Sequence, residues 1–302
     1  MTAPALARTR PPGWRVDLSL VGVSLVWGAT FVLVKEALRD ISTLLFLALR
    51  FILAAFALAL IFRRQFALPG LARSVRGGLL AGAFLFSGYI LQTFGLKYTT
   101  AAKTGFLTGL YIPLVPLIGA AIYRKAPQAS EVLGVGIAFV GMTLMTMNGN
   151  VLSIGVGDLL VILSTIAYAF HILVLGHFAR TVNTGVLAVA QIAAGAFIGS
   201  ATCWWAEPVK AQFTATVWIA LAVTSLLATA LAFYLQTWAQ QYSSPTRTAL
   251  IFSLEPLFAW VTAYALAGEN LSGRGIIGAA LILSGILLVE LKPLRIGQHQ
   301  SP

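Results

Sequence analysis

Two charged side chains, Arg50 and Glu255, lie deep inside long apolar runs of a chain that otherwise keeps its charges near the ends of such runs. A full charge at the centre of a bilayer costs about 2.5 to 3.5 kcal/mol even on lenient insertion scales. Each of the two therefore needs a cavity, a partner or both. As a binding group, the Arg50 guanidinium would pair bidentately with a carboxylate or phosphate; as a structural one, it would form an ion pair or cap backbone carbonyls. Glu255 precedes Pro256 directly. It could take up a proton or a cation, or it could pair with Arg50 or brace a proline-broken helix, and the structural role leads. His171 is a proton-carrier candidate because imidazole ordinarily titrates near neutrality, although a membrane histidine more often just satisfies a neighbour.

Other polar side chains recur at helical spacing, which puts them on one face of their helix. Ser164, Tyr168 and His171 form one stripe, and Thr104, Thr108 and Tyr111 a second. Tyr89 shares a face with Gln92, Ser225 and Thr229 with Gln236, and Thr248 and Thr262 with Glu255. Any single member is explained by interhelical hydrogen bonding; the set together predicts a lined cavity. Trp27 lies mid-run, where it would stack on a flat solute or fill the core. Pro113 and Pro256 interrupt two of the runs, and paired interruptions mark the binding site in many carriers because they free backbone groups. Gly78/Gly82, Gly105/Gly109 and Gly195/Gly199 have the small-xxx-small spacing of close helix packing.

The elements that must position these residues are ten apolar spans, at 18–34, 41–62, 77–96, 104–123, 132–147, 159–178, 185–205, 216–238, 248–267 and 275–291. Most approach the roughly 20 residues a helix needs to cross hydrocarbon; 132–147 is short and must borrow from its flanks. Composition agrees: 59% hydrophobic and 10% charged residues, with a mean hydropathy of +0.89. The net charge of +11 is not a nucleic-acid footprint, because it is sorted by side. With the N-terminus inside, thirteen cations fall on inner segments: Arg8, Arg10, Arg15, Arg63, Arg64, Arg73, Arg76, Arg124, Lys125, Arg180, Arg247, Lys292 and Arg295. Leaving out Arg50, six fall outside: Lys35, Arg39, Lys97, Lys103, Lys210 and Arg274. This is the positive-inside bias, so both termini are expected in the cytoplasm. The basic N-terminus leads into a first helix rather than a cleaved signal, since 18–34 lacks an A-x-A-like exit. The lone Cys203 offers no intrachain disulfide, and no zinc spacing occurs.

Shifting the chain by 144 residues pairs Tyr98 with Tyr242, Lys103 with Arg247, Gly134 with Gly278 and Gly141 with Gly285; a shift of 141 pairs Asp17 with Asp158 and Trp27 with Tyr168. Pro113 and Pro256 fall one residue off the first register. Two halves of five helices follow, 15–148 and 157–291, and five being odd, they must sit in opposite orientations. With Trp27-Gly28-Ala29-Thr30-Phe31, Arg50-Phe51, Glu255-Pro256 and Gly268-Glu269 leading to Gly278 and Gly285, nearly the whole chain resembles the EamA-type drug/metabolite transporter superfamily. The resemblance implies a ten-helix pseudo-symmetric fold, a central cavity and small-molecule transport, often export, with the solute left open.

The expected fold is thus an all-α integral membrane protein, ten transmembrane helices in two inverted five-helix repeats. It forms a single membrane domain over 1–302, with cytoplasmic tails at 1–14 and 292–302. The expected function is secondary transport by alternating access in a bacterial-type inner membrane, as an exporter of amino acids or related amphiphilic solutes; organic cations or phosphorylated metabolites are the alternative cargo. The expected cavity residues are Trp27, Arg50, Tyr89, Gln92, Tyr111, Tyr168, His171, Gln236 and Glu255, with hinges at Pro113 and Pro256. Partners are the solute, the bilayer and, as a candidate coupling ion, the proton; the monomer is preferred, and neither a nucleic acid nor a cofactor or metal is expected. An intramembrane enzyme is the main rival, against which stand three histidines in all and no H-E-x-x-H or G-x-S-x-G. A channel is weaker, because no repeated carbonyl-filter sequence occurs. There is no P-loop for ATP-driven pumping.

Overall fold

In lipid a backbone polar group finds no water, so an apolar run satisfies itself as a helix. A computed structural model describes residues 11–99, 101–146, 155–267 and 273–291, and within them no strand forms. Residues 1–10 and 292–302 of the expected tails, Gly268-Glu269 and the side chain of Lys103 lie outside the described residues. The helices are α1 (Gly13–Ala37), α2 (Thr43–Phe62), α3 (Leu71–Tyr98), α4 (Ala101–Thr108), α5 (Tyr111–Tyr123), α6 (Ala129–Thr146), α7 (Val156–Phe178) and α8 (Thr184–Thr202). They continue as α9 (Ala215–Ser225), a π-helical turn (Leu226–Leu231), α10 (Ala232–Ala239), α11 (Pro245–Phe252), α12 (Glu255–Ala267) and α13 (Gly273–Leu291). Among the described residues seven helical stretches are long and apolar enough to cross a membrane, and two shorter apolar ones lie at Ala129–Leu144 and Gly273–Val289.

Two of the expected spans are not single helices. The fourth divides into α4 and α5 at Gly109–Leu110, and the ninth into α11 and α12 at Ser253–Leu254. Pro113 and Pro256 stand at the third and second positions of the helices that follow, where a missing N–H costs no helical hydrogen bond. The break precedes each proline because the ring disfavours a continuous helix through the preceding turn. The eighth span stays continuous but loosens into its π turn, a feature the hydropathy pattern does not encode. The fifth span does borrow from its flank, beginning at Ala129.

α3 packs along α7 and α8, α2 along α8, α6 along α13, and α1 against α12. The α6–α13 contact uses the glycines that the 144-residue shift brings into register. A Cβ on Gly134 would lie 2.7 Å from the Gly285 carbonyl oxygen, and one on Gly141 would lie 2.5 Å from that of Gly278. Ascending order on one helix meets descending order on the other, so the two run antiparallel and touch backbone to backbone. Gly141→Leu should therefore force α6 and α13 apart and reduce the yield of folded protein in detergent severalfold, whereas Gly136→Leu, at a site with no neighbour within 4 Å, should not. Equal yields of the two variants would contradict the contact.

Candidate functional site

The broken helices and the helix with the π turn meet at a cavity of about 80 Å³, room for about five waters. All nine residues singled out in the sequence line it. α1 brings Trp27, α2 Arg50, α3 Tyr89 and Gln92, α5 Tyr111, α7 Tyr168 and His171, α10 Gln236 and α12 Glu255. Both helix breaks adjoin the wall, through Thr108 and Tyr111 at one and Phe252 and Glu255 at the other. Toward the C-terminal ends of α1 and α3 the lining continues through Thr30, Phe31, Val34, Thr93 and Leu96. At the opposite end, Arg247 of α11 pairs with Asp17 of α1 at 2.7 Å and the Ser24 hydroxyl reaches the Ile251 carbonyl at 3.3 Å.

Arg50 is held by the π turn. Its Nε donates to Thr229 Oγ1 at 2.7 Å, and one terminal nitrogen donates to Tyr89 Oη at 3.1 Å and to the Ala228 carbonyl at 3.4 Å. The guanidinium carbon lies 4.7 Å from the centre of the Tyr89 ring, a cation–π contact. Trp27 Nε1 donates to the same Ala228 carbonyl at 2.9 Å. A π turn leaves a carbonyl without its usual i+4 partner, and here two side chains of the first half supply the missing donors. This is the carbonyl-capping role the sequence allowed for Arg50, and it leaves the second terminal nitrogen uncommitted.

Glu255 is different. It is 6% exposed, and its carboxylate makes neither an ion pair nor a hydrogen bond with any described residue. The Arg50–Glu255 ion pair admitted by the sequence is not formed. Glycine is required where α1 passes the base of α12, since a Cβ at Gly28 would lie 2.5 Å from the Glu255 carbonyl oxygen.

Two hydrogen-bonded chains stiffen the wall. Tyr168 Oη donates to Gln92 Oε1 at 2.9 Å, Gln92 Nε2 to Thr108 Oγ1 at 2.8 Å, and Thr108 to the Thr104 carbonyl at 2.7 Å. In the second, Thr237 donates to the Phe233 carbonyl at 2.5 Å and so accepts from Gln191 Nε2 at 2.8 Å. Gln191 then presents Oε1 to His171 Nε2 at 2.9 Å, so that nitrogen carries a proton. His171 is thus a satisfied neighbour of Gln191. The sequence reading missed Gln191 and Thr237; Gln191 is one polar residue on an apolar helix face, with no stripe to mark it, and Thr237 adjoins Gln236 on the neighbouring face. It also missed Phe233 and Phe252, which pack on Trp27 with ring centres 5.3 and 4.9 Å away and whose apolar type carries no signal of facing a cavity. Of the stripe residues, Ser164 bonds the Val161 carbonyl and Thr248 bonds Ser243 Oγ, both within the packing. Among the described residues no group of three His, Cys, Asp or Glu side chains gathers.

Helices long and apolar enough to cross a membrane, packed around an aromatic-walled cavity that also holds Arg50 and Glu255, are the architecture of a multi-pass membrane protein. The model of the EamA-like transporter family matches residues 14–147 and again 155–291, and the chain belongs to that family, within the drug/metabolite transporter superfamily. It is 34% identical over 277 residues to an uncharacterized transporter of Archaeoglobus fulgidus, covering 91% of this chain and 86% of the relative. It is 26% identical to the uncharacterized transporter YyaM of Bacillus subtilis, covering 90% of this chain and 92% of that one. The uncharacterized inner membrane transporter YedA of Escherichia coli is 20% identical, with 90% of each chain covered. A solved crystal structure superimposes with a TM-score of 0.77 at 18% identity, covering 92% of this chain and 97% of its own, a likeness of fold.

Proposed function

We propose that this transporter exports small amphiphilic metabolites, amino acids first among them, by alternating access around the central cavity. The observation that carries the reading is that Arg50, with one terminal nitrogen uncommitted, and Glu255, with no described partner, line the same small aromatic-walled space without pairing. A zwitterion places its carboxylate on the uncommitted Arg50 nitrogen and its ammonium on Glu255, satisfying both charges where water is scarce. Phosphorylated metabolites would use Arg50 and leave Glu255 opposed, and organic cations would do the reverse. Counting α4–α5, α9–α10 and α11–α12 as single interrupted spans makes ten, and the two successive family matches together with the antiparallel α6–α13 contact support two inverted five-helix halves. One copy of the chain suffices in this scheme, because the cavity is complete within it. The two helix breaks, each beside a proline, are the hinges. Counterflow in proteoliposomes tests the whole: unlabelled amino acid inside should speed entry of labelled amino acid. Absence of such trans-stimulation with every amino acid, phosphorylated metabolite and organic cation in the panel would refute the carrier, and product formation or simple leak would favour an enzyme or a pore.

The conformation is then one with the cavity directed to the outer face and the inner end shut by Asp17–Arg247. That pair is about a quarter to a third exposed, so its contribution is on the order of 0.2 to 1 kcal/mol. Asp17→Asn should shift the balance between the two faces by about 1.5- to 5-fold, read as faster labelling of a cavity cysteine from the inner side in a Cys203→Ala background. Unchanged labelling would remove the pair from the gate. The same background tests the orientation, which rests on the charge bias and on the inner membrane location of the YedA relative: a cysteine within 63–76 should react from the cytoplasmic side alone, and one within 206–215 from the periplasmic side alone.

A further inference from the structure

At the end away from the cavity's mouth, the α2–α3 and α7–α8 connections form a groove of about 430 Å³. Leu68, Pro69 and Gly70 make one wall, and Thr181, Val182 and Asn183 the other. The walls are joined by Asn183 N–H donating to Ser74 Oγ at 3.2 Å, while Ser74 Oγ donates to the Gly70 carbonyl at 3.2 Å. Arg73 and Arg180 line the groove, both exposed and neither paired with a carboxylate among the described residues. Arg180 gives one N–H to the Ser243 carbonyl at 3.2 Å and keeps the rest of its fork. Arg63 and Arg64 lie in the α2–α3 connection and Arg76 near the start of α3, and residues 63–76 and 179–184 contain no Asp or Glu. Leu68 and Leu71 are 49% and 38% exposed beside these cations.

We infer that this groove seats the phosphodiester of an anionic membrane lipid of the phosphatidylglycerol or cardiolipin kind. Its position at the helix ends is the depth of the headgroups, its arginines match a phosphate bidentately, and its exposed leucines face acyl chains where a soluble anion would leave them in water. Gly70 sits in the left-handed region at φ 84° and starts α3 with no side-chain cap, which adds the partial positive charge of the first turn to the same wall. A bound lipid would clasp the start of α3, which carries Tyr89 and Gln92, to the start of α8, which carries Gln191. The site is separate from the solute cavity and does not depend on which solute is carried.

The test uses full-length protein, delipidated in neutral detergent, with native mass spectrometry to count bound lipid and thermal unfolding to measure its effect. Phosphatidylglycerol should remain bound and raise Tm, and phosphatidylcholine should do neither. Each arginine lost should weaken phosphatidylglycerol binding about five-fold, and Arg73→Gln with Arg180→Gln about 25-fold, while Arg64→Gln alone, outside the groove, should stay within about two-fold. If the double glutamine variant fails to fold, Arg73→Lys with Arg180→Lys keeps the charge and should bind at an intermediate strength. Retention of phosphatidylcholine equal to phosphatidylglycerol, or full binding by whichever double variant folds, would overturn the site. A rise in Tm with inorganic phosphate equal to that with the lipid would make it a soluble-anion site and overturn the lipid assignment.

Discussion

Arg50→Gln is expected to cut exchange of a zwitterionic or anionic solute by about 10- to 150-fold at equal folded protein. The range follows from the 1.5 to 3 kcal/mol typical of a hydrogen bond to a charged group, at 1.4 kcal/mol per factor of ten. Glutamine retains an amide that can reach part of the π turn, so insertion should survive even though one contact with Thr229, Tyr89 or the Ala228 carbonyl is lost. Arg50→Lys keeps the charge but cannot bridge Thr229 and Tyr89 from separate nitrogens, and it should fall between the two. Transport of uncharged or cationic analogues should be spared. Normal exchange of an amino acid by Arg50→Gln, at matched protein level in proteoliposomes, would show that Arg50 serves the π turn alone.

Glu255→Gln should give an effect of the same order with the opposite selectivity. Amine-bearing solutes lose about 10- to 150-fold in exchange, and solutes without an amine are little changed. The amino-acid sequence favours a structural role for Glu255, which would appear as lower folded yield. The structure offers no described partner for such a role, and replacing a buried, unpartnered carboxyl by an amide of the same shape breaks no contact. Folded yield by size-exclusion chromatography should therefore equal that of the parent. If yield collapses while the surviving protein transports normally, the structural role is right. If exchange is intact but the pH dependence of net flux vanishes, Glu255 carries a coupling proton instead of the ammonium.

Membrane class was legible from composition, and the lining from period and type. Tyr168 and His171 three residues apart, or Tyr89 and Gln92, can only share a helix face. Lipid sharpens this signal, because a polar residue in a span has few places to go other than inward. For Ser164 and Thr248 the bonding expected of any single stripe member applies, their hydroxyls returning to the local packing at Val161 and Ser243. Small hydroxyls reach a backbone carbonyl or a near neighbour and need no cavity. Gln191 escaped notice for the complementary reason: a lone amide in an apolar run makes no pattern, though it orients His171.

By itself the sequence determined the membrane-spanning character, the duplication seen in Gly134, Gly141, Gly278 and Gly285, and the inward faces of the helices, all set by period and by the high cost of polar groups in hydrocarbon. Only the tertiary structure decided which charge has a partner. Arg50 is occupied by a carbonyl that a π turn frees some 180 residues away, and Glu255 faces the cavity with none. Side-chain type and spacing report on one helix at a time, whereas pairing depends on backbone geometry where several helices meet.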